Sequence, residues 1–272
     1  MPLYLPVLHY TIFKSSDCFK SATDLRGFNH LNNVRLAYKK FGIGGELMSK
    51  YRCEIKMNIN PFDKAILSSR LSKVMKKDEH TGPRRYYKVR SIYFDDLDNT
   101  ALKEKLYGVI NREKFRMRIY DNTTDVIRLE KKVKHNNLGY KESALLTLQE
   151  CQSILKGDYG FLKERPEMVC KQLYTKMRTG LYKAKTIVEY DREAYVWEPG
   201  NIRITLDSNL KTGITSTDFL NIDVPLVNAS DNAIILEIKY DNYLPAHISD
   251  VIHLQDRQIS SNSKYVFCRR FG

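Results

Sequence analysis

Lysine, arginine and glutamate recur at every second position in five separate segments of this chain. The charged and polar positions of these segments are Arg52, Glu54 and Lys56; Arg112, Lys114, Arg116 and Arg118; Arg128, Glu130, Lys132 and Lys134; Arg203, Thr205 and Asp207; and Glu237 and Lys239. The positions between them are mainly apolar, as with Phe115, Met117 and Ile119. Because successive side chains of a β-strand point to opposite faces, each segment predicts a strand with one charged and one apolar face.

These charged faces suggest phosphate chemistry. The planar guanidinium of arginine can bind two phosphate oxygens at once. Acids placed between basic residues, as Glu54 and Glu130 are, suit a divalent cation that bridges phosphate oxygens. For any one segment taken alone, the better interpretation is that its charged face is simply exposed to water. For the whole set, we expect the faces to line an enclosed channel that holds an anion, since crowded like charges would otherwise repel one another.

The elements that would position these faces are read from periodicity and turn signals. Strands are predicted over residues 51–59, 86–94, 112–120, 126–134, 141–146, 185–197, 202–207, 233–240 and 264–269. Helices are predicted over residues 61–77, 100–106, 148–155, 166–178 and 246–258. Asp121-Asn122 predicts a hairpin turn, Thr147 and Glu150 predict a capping box, and Gly157 predicts the end of the helix that follows.

The first 47 residues differ from the rest of the chain. Their periodicity is poor, and they end near the cluster Phe41-Gly42-Ile43-Gly44-Gly45, whereas the pattern becomes regular from Met48 onwards. Two explanations stay open: residues 1–47 are an N-terminal extension, disordered or loosely docked, or the biological start is Met48. Residues 48–272 are predicted to form one domain.

Composition limits the classes of partner. The 45 lysines and arginines exceed the 32 acids, and the net charge of +13 favours anionic partners: nucleic acid, acidic membrane surfaces or phosphate-rich molecules. The five cysteines are scattered and form no Cys-x-x-Cys pair, so neither a zinc site nor a disulfide framework is indicated, and a cytoplasmic location is expected.

We expect the chain to have no membrane span of its own and no export signal. Nucleic acid is disfavoured, because acids interrupt the basic faces and the aromatic signature of RNA-binding sheets is missing.

An ordered set of short motifs resembles a known family. The motifs are Arg52-x-Glu54-x-Lys56, Ser91-Ile92-Tyr93-Phe94-Asp95, Lys114-x-Arg116-x-Arg118-x-Tyr120, Leu129-Glu130-Lys131-Lys132, Lys141, Tyr190-x-Arg192, Arg203-Ile204-x-Leu206-Asp207 and Leu236-Glu237-Ile238-Lys239. In this order and spacing they resemble the VTC domain, the polyphosphate polymerase branch of the triphosphate tunnel (CYTH-like) superfamily. The resemblance covers about residues 50 to 268.

The resemblance implies an α+β fold in which an antiparallel β-barrel forms a tunnel with helices packed outside. It implies ATP and inorganic polyphosphate as partners, Mn²⁺ or Mg²⁺ as cofactor, and a membrane protein as a candidate partner. The implied catalytic residues are Lys56, Arg116, Arg118, Lys132 and Glu237. The implied phosphate-binding residues are Arg52, Lys114, Lys141, Arg192, Arg203, Lys239 and Lys264. The implied metal ligands are Glu237, Glu130 and Glu54.

The chain departs from the family pattern at two positions. The wider superfamily often opens with Glu-x-Glu-x-Lys, where this chain has Arg52, which favours a polymerase over a hydrolase with a metal-rich site. Eukaryotic relatives carry an extra lysine near the last predicted strand, where this chain has Asn262. A metal-dependent tripolyphosphatase or nucleoside triphosphatase and a non-catalytic polyphosphate-binding module remain the alternatives, because one fold can host several activities.

Overall fold

A computed structural model describes residues 52–135, 138–230 and 232–270; the predicted extension 1–47 lies outside the described residues. The strands, in chain order, are β1 (Cys53–Ile59), β2 (Lys76–Lys77), β3 (Tyr87–Asp95), β4 (Asn111–Tyr120), β5 (Thr123–His135), β6 (Leu138–Leu146), β7 (Lys183–Trp197), β8 (Ile202–Thr212), β9 (Val227–Asn228) and β10 (Ile234–Tyr240). The α-helices are α1 (Pro61–Val74), α2 (Thr100–Leu106), α3 (Leu148–Lys156), α4 (Met168–Thr179), α5 (Ala246–Ile252) and α6 (Lys264–Cys268). The fold is therefore α+β, as predicted.

One antiparallel sheet contains all the strands. Its main path runs β1-β10-β8-β7-β3-β4-β5-β6, with β2 added to β7 and β9 added to β8. The predicted closed barrel is only partly found, because within the described residues no backbone ladder joins the edge strands β1 and β6. A side-chain contact bridges this gap instead: Lys132 Nζ on β5 lies 2.6 Å from Glu54 Oε2 on β1. The sheet therefore curls until side chains near its two edges meet across its concave face.

The outer face of the sheet is apolar and supports the helices. Phe115 and Met117 of β4 are fully buried in a cluster that also contains Ile154 of α3 and Leu173 of α4. Each such side chain contributes roughly 1.5–3 kcal/mol by its removal from water. This packing turns the alternate, charged positions of β4 towards the concave face.

A second apolar cluster lies at the other edge of the sheet. Ile55 and Met57 of β1 pack with Leu67 and Leu71 of α1 and with Ile248 of α5. Glu54 and Lys56, which alternate with these apolar residues, are thereby placed on the concave face.

Local signals in the sequence set several boundaries as predicted. Thr147 and Glu150 form the capping box of α3, and Gly157 ends that helix with a left-handed φ of 88°. Asp121 and Asn122 join β4 to β5 with φ values of 48° and 59°. Positive φ at both central residues matches the twist of a two-residue hairpin, and asparagine and aspartate tolerate this conformation.

The prediction of a final strand over residues 264–269 is wrong, because this segment forms helix α6. Its aromatic and β-branched residues favour a strand locally. The fold instead buries Tyr265 and Cys268, which lie three residues apart and therefore on one helical face. The Tyr265 ring stacks on Tyr93 at a centroid distance of 5.0 Å. Helices α1 and α5 also end earlier than predicted, at Val74 and Ile252.

Within the described part of the chain, no helix combines the length and the apolar character needed to cross a bilayer.

Candidate functional site

The concave face of the sheet encloses a cavity of about 800 Å³. All fourteen predicted site residues line it: Arg52, Glu54, Lys56, Lys114, Arg116, Arg118, Glu130, Lys132, Lys141, Arg192, Arg203, Glu237, Lys239 and Lys264. Arg128 also lines the cavity, so the lining contains twelve lysines and arginines in total. It contains five acids, namely Glu54, Asp121, Asp125, Glu130 and Glu237. The predicted convergence of charged faces on one enclosed space is therefore present in the structure, and the roles of the individual residues stay predictions.

Glu130 is the centre of the first group of charges. Its side chain is 1% exposed, and its Oε2 accepts a hydrogen bond of 2.7 Å from Arg116 Nε, while its Oε1 lies 2.7 Å from Lys141 Nζ. Arg118 Nη1 lies 3.6 Å from Oε2. Burial by itself would raise the pKa of Glu130, but the positive charges of Arg116, Arg118 and Lys141 outweigh burial and hold the pKa far below its usual range.

Glu54 and Glu237 form the second group, with Lys56 between them. Lys56 Nζ lies 2.8 Å from Glu54 Oε1 and 3.9 Å from Glu237 Oε1. Lys239 Nζ lies 2.9 Å from Glu237 Oε1. Burial and the charge of Glu237 would raise the pKa of Glu54, but Lys56, Lys132 and Lys239 together lower it well below its ordinary value. Both carboxylates are therefore ionised and already engaged by ammonium groups.

Asp207 organises a third group that the sequence reasoning did not include among the site residues. Arg192 donates to both oxygens of Asp207, at 2.6 Å from Nε and 2.7 Å from Nη2. Lys264 Nζ from α6 lies 2.6 Å from Asp207 Oδ2, so the helix brings its lysine into the cavity although the predicted strand is absent. The sequence pattern that could have identified Asp207 is its alternation with Arg203 on one face of β8.

Tyrosines, also missed as site residues, orient two of the arginines. Arg116 Nη1 donates to Tyr93 Oη at 2.9 Å, and Arg118 Nη2 donates to Tyr190 Oη at 3.2 Å. Arg118 Nε donates to Ser91 Oγ at 3.0 Å. Ser91 and Tyr93 alternate along β3 as the arginines do along β4, so this face could have been found by the same period of two.

Lys114 has an unusual electrostatic environment. Burial lowers its pKa to about 7, with help from the charges of Lys132, Lys56 and Arg116 and against the opposing effect of Tyr93. The Lys114 Nζ atom lies 5.5 Å from the centre of the Tyr93 ring. An anion in the cavity would favour the charged form of this amine, so binding should take up a proton near neutral pH.

We expect the affinity of the cavity for a phosphate-rich anion such as tripolyphosphate to fall as the pH rises from 6 to 9, because free Lys114 loses its proton over that range. The Lys114→Gln variant should lose this part of the pH dependence. Calorimetric titrations in buffers of different ionisation enthalpy measure the proton uptake directly. Equal uptake by wild type and variant at pH 8 would contradict the role given to Lys114.

The carboxylates decide which metal site the cavity can form. No three histidine, cysteine or acidic side chains of the described residues are grouped as metal ligands. Of the three predicted ligands, Glu54 and Glu237 share Lys56, whereas Glu130 is surrounded by Arg116, Arg118 and Lys141. Magnesium is commonly bound by one or two carboxylates together with substrate phosphates. Glu237 and Glu54 fit that arrangement.

Comparison with known proteins identifies relatives at the level of the domain and the fold. A family model described as the VTC domain matches residues 51–271. The solved structure of HpAC1 from Hippeastrum, for which a dominant triphosphatase activity is stated, is 14% identical, with a TM-score of 0.50, and the match covers 79% of this chain and 93% of that chain. The Mimivirus capping enzyme triphosphatase is 12% identical, with a TM-score of 0.36 and coverage of 82% and 93%. No curated protein matches the chain in a sequence search.

Proposed function

The chain belongs to the VTC domain family, and from this premise we propose that it transfers the terminal phosphoryl group of ATP to a growing inorganic polyphosphate chain. The observation that carries the proposal is the enclosed cavity with twelve lysines and arginines in its lining. A linear polyanion is the ligand whose charge and shape suit such a lining. The HpAC1 structure supports the tunnel fold, and the activity is inferred from the cavity.

Phosphoryl transfer depends mainly on positioning and on neutralising charge. The cavity arginines are suited to this task because they are held before any ligand arrives. Arg116 is fixed by Glu130 and Tyr93, and Arg192 is fixed by two contacts to Asp207. Their preset orientation reduces the reorganisation needed when phosphate groups bind.

The carboxylates of the cavity are poorly suited to act as the base that hydrolysis needs. Hydrolysis usually needs a base that takes a proton from water, and an efficient base has a pKa near the working pH. Glu54, Glu130 and Glu237 all have lowered pKa values, because the cations around them outweigh the effect of burial. The terminal oxygen of a polyphosphate chain is already ionised and needs no base.

Mn²⁺ or Mg²⁺ is the proposed cofactor, with Glu237 as the main ligand and Glu54 as a helper. Such an ion would neutralise charge on the phosphate oxygens of the donor when it is bound. Lys56 and Lys239, which contact Glu237 in the structure, lie where they could contact the same phosphates.

The deciding experiment is a product assay. The purified protein is incubated with ATP and either Mn²⁺ or Mg²⁺, and the products are separated on a polyphosphate gel. We expect long chains and ADP. Orthophosphate without chains would replace the proposal with a hydrolase.

Hydrolysis of tripolyphosphate or a nucleoside triphosphate is the second candidate, because HpAC1, whose structure is similar to that of this chain, has a dominant triphosphatase activity. Binding of polyphosphate without turnover is a third outcome of the same assay, seen as affinity without any product. A cytoplasmic site of action and a membrane-protein partner are part of the proposal and follow from the family resemblance and the scattered cysteines.

A further inference from the structure

The charged stripes of β4 and β5 continue beyond the cavity at one end. Lys114 and Lys132 are paired in the ladder and line the cavity, and the next pair on the same face is Arg112 with Lys134. Neither Arg112 nor Lys134 lines the cavity. Arg112 lies four positions from Arg116, or about 14 Å along an antiparallel strand. The pair therefore lies just outside the enclosed space.

A third cation joins this pair. Lys105 lies near the end of α2, which packs against β4. Its pKa is lowered to about 8 by burial and then by the charges of Arg112, Lys134 and Lys56. The pKa of Lys134 is lowered by burial and by Arg112, which shows that the two charges act on each other. We call Lys105, Arg112 and Lys134 the outer cation cluster.

The outer cluster differs from most of the cavity in how far its cations lie from acids: the charges of Glu104 and Glu54 act on its members, but not from ion-pair distance. Most cavity cations have a carboxylate within 4.0 Å, as Lys132 has Glu54 and Lys239 has Glu237. Among the described residues, no ion pair is formed by any member of the outer cluster, and Arg112 donates only to the carbonyl oxygen of Val109. Three partly exposed cations that repel one another are stabilised when an anion binds between them.

The opposite end of the same two strands has a different charge. Asp121 and Asp125 lie there at the hairpin and line the cavity. Arg203 at that side is paired with Asp78 at 2.8 Å. The hairpin end therefore combines two acids with an ion-paired arginine, whereas the outer cluster consists of three cations without an ion pair among the described residues, and this contrast gives the site a direction.

We propose that the outer cation cluster binds the distal part of the polyphosphate chain, several phosphates away from the group that reacts in the cavity. This inference rests on the proposed function in taking polyphosphate as the ligand. It adds that the chain leaves the cavity over the Arg112–Lys134 end, and that long chains bind more tightly than short ones for this reason. Tripolyphosphate, seated among the cavity arginines, would be too short to use the outer cluster.

The test compares the binding of long and short polyphosphate chains in the absence of nucleotide. Binding of polyphosphate with tens of phosphates and of tripolyphosphate is measured by calorimetry with wild type and with the Arg112→Gln/Lys134→Gln double variant. We expect the variant to bind the long chain about tenfold more weakly than wild type does, a loss of about 1.4 kcal/mol. The affinity for tripolyphosphate should be the same in both proteins. The salt dependence of long-chain binding should also become less steep.

The matched control is Lys73→Gln/Lys171→Gln, which removes two exposed lysines away from the cavity lining. Equal weakening by the control would mean that net charge alone is responsible and would overturn the inference. Long-chain affinity unchanged in the double variant, or equal loss for tripolyphosphate, would overturn it as well. The product assay is separate: a protein that makes no chains from ATP but shows the length-dependent loss would contradict the polymerase and support the outer cluster.

Discussion

The Glu237→Gln variant is expected to lose about 100-fold or more in kcat for metal-dependent turnover, with its fold intact. Glutamine keeps the size of the side chain but removes the negative charge that the proposed cofactor needs, and losses of this order follow removal of one preorganised group from a reaction centre. Affinity for tripolyphosphate without metal should stay the same or increase, because one negative charge has left the phosphate site. The measurements are initial rates over a Mn²⁺ or Mg²⁺ titration and calorimetric binding.

Glu198→Gln provides the matched control for this variant. Glu198 forms an exposed ion pair with Lys76 at 3.3 Å, so the same chemical change there should leave both turnover and stability nearly unchanged. Full activity in Glu237→Gln, with a normal circular dichroism spectrum, would show that the metal assignment is wrong. A parallel loss of metal-free tripolyphosphate binding would point to damaged structure instead of a lost ligand.

The largest effect on stability is expected for Glu130→Gln, about 3 kcal/mol or roughly 10 °C in Tm. The 1% exposed carboxylate neutralises Arg116, Arg118 and Lys141, and its loss leaves these positive charges to repel one another. A bound anion should offset this repulsion. We therefore expect tripolyphosphate to raise the Tm of Glu130→Gln by more than it raises that of wild type.

The pH dependence of this difference has a definite sign. The folded pKa of Glu130 lies far below its unfolded value of about 4.3, so its contribution is complete above that value and is lost as the pH falls through the folded pKa. Thermal unfolding should show a constant difference between wild type and variant from pH 8 to about pH 5, and a difference that begins to shrink between about pH 4 and pH 3. Glu164→Gln, in an exposed pair with Lys163, should show no such trend. A constant difference at all pH values would contradict the electrostatic explanation.

Sequence alone was sufficient to predict which side chains share a face. Strand alternation is a local property of the backbone, so the period of two placed Arg116 and Arg118 on one side of β4 and Phe115 and Met117 on the other. The same reasoning collected eleven of the fourteen predicted site residues that line the cavity, whereas Lys141, Arg192 and Lys264 were predicted from the family resemblance. Local capping and turn residues, such as Thr147 and Asp121, likewise marked boundaries that the structure confirms.

Only the tertiary structure decided how those faces meet. The contact of Lys132 with Glu54 joins residues 78 positions apart and depends on how strongly the sheet curls, which no local pattern encodes. The same curvature leaves β1 and β6 without a shared ladder. Residues 264–268 likewise form a helix because the fold buries Tyr265 and Cys268 on one helical face. Periodicity fixes the direction of a side chain relative to its own strand, whereas its partner is set by the packing of distant elements.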